Sequence, residues 1–91
     1  MLTFEECCSM CGLTEQTVAA VAEHENIPEM VALELAAHLL AQPDGARRIE
    51  QFIEENIASA HQRHHEAHEA ALLVVLRQFR LEHAAELGAD G

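Results

Sequence analysis

The sequence has no lysine, no tryptophan and no tyrosine, and only three phenylalanines, Phe4, Phe52 and Phe79. With so few large aromatics, the hydrophobic 49% of the chain is mostly Ala, Leu, Ile and Val, which favours helices packed closely on small side chains. With no lysine, five arginines face sixteen carboxylates, a formal charge of −11 with histidine neutral. Nucleic acids and anionic lipid surfaces bind through Lys and Arg that neutralise phosphate, so this balance argues against both as partners. A basic partner or a metal cation suits the field better.

Long hydrophobic runs are missing too. The longest, Ala70 to Leu76, falls far short of the ~20 residues a bilayer demands. Met1-Leu2-Thr3 leads straight into acidic residues, without the basic and apolar regions of a signal peptide. A cytoplasmic protein with no membrane span is expected. Catalytic and cofactor motifs are missing as well: there is no Glu-x-x-His pair, His-Glu-x-x-His, Gly-x-Gly-x-x-Gly, P-loop or Gly-x-Ser-x-Gly. The two serines, Ser9 and Ser59, have no triad-like setting. Nothing supports an enzyme.

Proline and glycine are scarce, and each one punctuates the chain. Thr3 with Glu6 three residues later is a capping box that starts a helix at Phe4, and Gly12 ends it. Thr14 caps a second helix carrying Val18, Ala19, Val21 and Ala22, with Asn26 as a left-handed terminator. A third helix runs from about Pro28 to Ala41 with Val31, Leu35, His38 and Leu39 on one stripe. Pro43-Asp44-Gly45 closes it, and Asp44 is placed to cap the next helix.

From Ala46 to Glu86 there is neither glycine nor proline. The apolar stripe Ile49, Phe52, Ile53, Ile57, Ala60 and the later stripe Leu72, Leu73, Leu76, Phe79, His83, Leu87 point about 150° apart on one continuous helical wheel. A turn within 61–68 lets both face one core. The expected fold is therefore all-α, an array of four to five helices with a C-terminal hairpin of helices at about 45–62 and 67–87. Residues 1–91 form one domain, with 88–91 as a disordered tail. The alternative, one long helix, would suit the spine of a dimer.

What remains is chemistry-bearing side chains. His61, His64, His65 and His68 fall at i, i+3, i+4 and i+7, so a continuous helix would put all four on one face. Imidazole suits Zn, Ni or Cu, and Glu66 or Glu69 could add an oxygen ligand. The turn that the stripes demand would scatter the same imidazoles. Cys7, Cys8 and Cys11 are too few for a zinc ribbon and lack the βαβ setting of a thioredoxin motif. They are expected to pack, with Phe4, as the inner face of the first helix. His24 suits the negative end of its helix, while His38 and His83 read as core histidines with hydrogen-bond partners. Residues 13–40 could trace a helix–turn–helix, but Pro28 to Glu34 offers no Arg, Lys, Asn or Gln to meet bases.

A chain of 91 residues buries little surface and gains most readily from association. Leu72 to Leu76 are apolar nearly all round their helix and must be covered on every side. The functional expectation is a non-enzymatic helical interaction or regulatory module that self-associates or binds another protein, with no cofactor. The alternative is a metal-binding or metal-sensing protein using His61, His64, His65 and His68.

Overall fold

In a computed structural model, which describes residues 1–88, the chain forms five α-helices and, among the described residues, no strand. They are α1 Phe4–Met10, α2 Glu15–Glu25, α3 Glu29–Leu40, α4 Gly45–Gln62 and α5 Glu66–Glu82. The tail expected over 88–91 lies, apart from Gly88, outside the described residues.

The start signals act locally. The Glu6 amide donates to Thr3 Oγ1 (3.1 Å) and the Thr3 amide to Glu6 Oε1 (2.8 Å), completing the capping box. Those bonds hold the Glu6 carboxyl below its usual pKa. Thr14 Oγ1 likewise accepts from the Thr17 amide at 3.1 Å. Asp44 departs from expectation. It precedes α4, but its backbone is not extended (φ −105°, ψ 13°) and its side chain makes no capping bond. Pro28 stands one residue ahead of α3 in extended geometry rather than inside its first turn.

Three helices end by one device. A residue with positive φ reverses the chain and the next amide reaches back five residues: Leu13 to the Cys8 carbonyl (2.9 Å), Ile27 to Ala22 (3.1 Å) and His65 to Ala60 (2.9 Å). These are Schellman closures, and the left-handed residues are Gly12 (φ 74°), Asn26 (φ 57°) and His64 (φ 59°).

Helix α4 packs against α2, α3 and α5, with Ile49 and Ile53 fully buried at the centre of one core that also holds Val18, Val21 and Phe79. Asn56 is buried beside them, its Nδ2 donating to the Ala20 carbonyl (2.9 Å) and fixing α2 on α4. Arg80 of α5 ties the other side: its Nε donates to Glu50 (2.7 Å) and its Nη2 to Glu54 (2.9 Å). The expected hairpin is present, with Leu72, Leu76 and Phe79 inward. Helix α5 stops at Glu82 rather than near residue 87, but turns over 83–88 keep His83 buried and Leu87 partly so. Arg47 Nη2 holds the Leu87 carbonyl at 2.6 Å.

The inward face of α3 differs from the expected stripe. Val31 (47% exposed) and His38 face outward, and Ala32, Leu33, Ala36 and Leu39 are buried. The helix is turned by about 100° from the expected phase, because two alanines with no exposed surface permit closer helix contact than valine and histidine would.

Gly45 is a second close approach. A β-carbon there would run into the Leu39 carbonyl at the end of α3. Backbone cannot yield as a side-chain tip does, so Gly45→Ala must push α3 and α4 apart. We expect a loss of about 3 kcal/mol or more, read as a lowered urea midpoint; a variant within about 0.5 kcal/mol of the parent would refute the contact.

Candidate functional site

The histidine run lies across the α4–α5 turn. His61 is in the last turn of α4, Arg63 follows its end, His64 takes the left-handed conformation, His65 precedes α5 and His68 lies in its first turn. The i, i+4 pairs therefore do not share a helix face, and the run is exposed throughout. Among the described residues, no group of three or more His, Cys, Asp or Glu side chains is placed to hold a metal ion.

The imidazoles are instead distributed to carboxylates on neighbouring helices. His61 Nδ1 lies 3.2 Å from Glu69 Oε2, linking α4 to α5. His68 Nε2 lies 2.8 Å from Glu23 Oε1, linking α5 to α2. His24, in the last turn of α2, bonds Glu55 of α4 through Nε2 and Glu25 through Nδ1 (2.7 Å). Its ring also stacks on Phe52 at 4.2 Å. Three imidazole–carboxylate contacts thus join α2, α4 and α5 pairwise at one end of the array. Burial alone would push the His24 pKa down, but the hydrogen bonds and charges of Glu55 and Glu25 outweigh it and hold the ring above its ordinary value.

His83 is a core histidine, stacked on Phe79 at 4.5 Å. The partner expected for it is absent among the described residues. Its buried Nδ1 has no hydrogen bond, and Glu86 at 3.9 Å is too far to supply one. The cysteines divide. Cys8 is fully buried, and burial followed by the Glu15 charge raises its thiol pKa, keeping it protonated and inert. Cys7 is partly buried against the core, while Cys11, expected inside, is exposed.

The other feature is the outer surface of α5. Leu73, Val74 and Leu81 are 50%, 68% and 67% exposed. The clefts between this surface and α2 are shallow: one of about 270 Å³ is lined by Thr14, Gln16, Val74, Val75 and Gln78. That is small for a small-molecule site, and convergent charged groups are missing from its lining. Comparison with protein-family models, curated proteins and solved structures finds no match for this chain.

Composition did not reveal the carboxylate partners of His24, His61 and His68, because Glu55 and Glu23 are distant in sequence. The closeness of His to Glu at Glu23-His24-Glu25 in α2 and at His65-Glu66-Ala67-His68-Glu69 around the start of α5 was the available signal.

The turn itself is testable. A left-handed non-glycine residue costs roughly 1 kcal/mol, so His64→Gly should stabilise the protein by about 0.5–1 kcal/mol in urea unfolding. In a continuous helix the same change would destabilise by a similar amount.

For His24 the sign follows from its raised folded pKa. Its contribution is complete below about pH 6.5, where folded and unfolded forms are both protonated, and fades as pH rises through the folded value. The stability gap between the parent and His24→Gln should therefore shrink as urea midpoints are measured from about pH 5.5 to about pH 8.5. A gap that widens would contradict the assignment.

Proposed function

We propose that this chain is a non-enzymatic helical interaction or regulatory module that acts by self-association through the outer face of α5. The observation that carries the reading is the divided burial of that helix. Leu72, Leu76 and Phe79 are inside, while Leu73, Val74 and Leu81 stand at least half exposed one helix face away. At those exposures no further element among the described residues lies over that face.

The physical motive is the thin margin of a small core. Each large aliphatic side chain taken out of water contributes about 1.5–3 kcal/mol when fully buried, a large share of what a domain of this size retains. Helix–helix pairing supplies that burial without a cofactor or a catalytic group.

Sedimentation equilibrium over about 1 µM to about 1 mM should give a mass rising from 10.0 kDa toward twice that value. Replacing Leu73 and Val74 together by glutamine keeps charge and helix propensity and should weaken association by about tenfold or more. A parent protein that stays monomeric throughout the range refutes the proposal.

A further inference from the structure

Glu66 and Arg77 stand eleven residues apart on α5. Eleven residues are about three turns, so the two side chains leave the helix within about 20° of each other and about 16 Å apart along its axis. Between them on the same exposed face lie Ala70 and Leu73, with Val74 at its edge. Neither Glu66 nor Arg77 takes part in an ion pair among the described residues, whereas Arg80 is committed to Glu50 and Glu54. From Glu66 to Arg77 the face thus reads acid, apolar, base, with Leu81 one turn further on.

Such a face is complementary to itself, but only when reversed. We propose that two copies of the chain pair α5 against α5 in antiparallel orientation, about a twofold axis near residues 71–72, each Arg77 guanidinium meeting Glu66 of the second copy. In that register Ala70 of one copy lies opposite Leu73 of the other. The small side chain lets the axes approach while the larger one fills the gap. A parallel pair would oppose Glu66 to Glu66 and Arg77 to Arg77, and would also align the helix dipoles unfavourably.

The occupant is a second copy because the charge pattern answers itself. Each chain carries −11, so two copies repel in general. A pair of reciprocal ion bridges at this face is what sets a local attraction against that field and fixes the orientation. A twofold axis uses each bridge twice, as an isologous interface requires.

This register rests on the self-association proposed above, and charge exchange separates the two. Glu66→Arg and Arg77→Glu, each confirmed folded by circular dichroism and urea unfolding, should each weaken self-association by about tenfold. An equimolar mixture of the two variants should recover it. In the mixed pair one copy presents arginine at both positions and the other presents glutamate at both, so each bridge again joins opposite charges. The double variant, with the two charges exchanged within one chain, should recover association alone. Glu66→Arg is the decisive arm. It lowers the net negative charge, so if only overall repulsion mattered it would tighten association, and that outcome overturns the register. If both variants associate like the parent, the register fails while self-association stands. A monomeric parent removes both.

Discussion

Helix α4 must lay one apolar stripe against three other helices at once, and the rest of the molecule is arranged around that requirement. Ile49 and Ile53 have no exposed surface, and α2, α3 and α5 all contact the helix that carries them. With three phenylalanines and no larger aromatic, a stripe of isoleucines can be sealed only by close approach. Alanines with little or no exposure on α2, α3 and α4 (Ala20, Ala32, Ala36 and Ala46) supply it, as does Gly45 where α3 turns into α4. Interiors are packed near crystalline density, so a chain poor in bulk reaches that density by shortening the distance between helices.

The charges are organised by the same geometry. Carboxylates on α2, α4 and α5 outnumber arginines, and helices brought together carry their negative charge with them. Arg80 answers two of these carboxylates at the α4–α5 seam, and histidines answer others where α2, α4 and α5 meet. Exposed pairs of this kind individually contribute little. Their value lies in position, because each joins a carboxylate of one helix to an imidazole of another, at Glu23, Glu55 and Glu69. His24 is the strongest instance, with two carboxylates on its ring nitrogens and Phe52 beneath its face.

Much of this was legible in the sequence. Thr3, Gly12, Thr14 and Asn26 act through bonds within a few residues, so their roles follow from local chemistry. The α4–α5 turn was legible for a different reason. The two stripes are out of phase, and only a reversal reconciles them, even though His64 rather than glycine makes it. The face of α3 was not legible, since its hydrophobic side chains surround it and periodicity cannot choose between Val31 and Ala32. Packing chose, by size. Asp44 failed for a related reason: Gly45 is drawn tightly onto Leu39, and the preceding residue is left in a conformation from which its carboxylate does not cap. Of the histidine run, spacing alone suggested a ligand face, while phase demanded the turn that disperses it. The turn prevails, because closing the core outweighs any preference among exposed imidazoles.

The outer face of α5 follows from that outcome. Once the hairpin closes, Leu72, Leu76 and Phe79 are committed inward, and a segment that is apolar nearly all round leaves Leu73 and Val74 outward. A single amphipathic helix would have avoided this by placing charge there, as α4 does with Glu54 and Glu55. In α5 the charges on the outward face stand instead on either side of Ala70 and Leu73, at Glu66 and Arg77, and are opposite in sign, with Leu81 one turn beyond Arg77. That segregation does not help solubility at the middle of the face. It makes sense where the middle is to be covered and the flanking charges are to be matched, and antiparallel helices of one kind satisfy both conditions with no other partner.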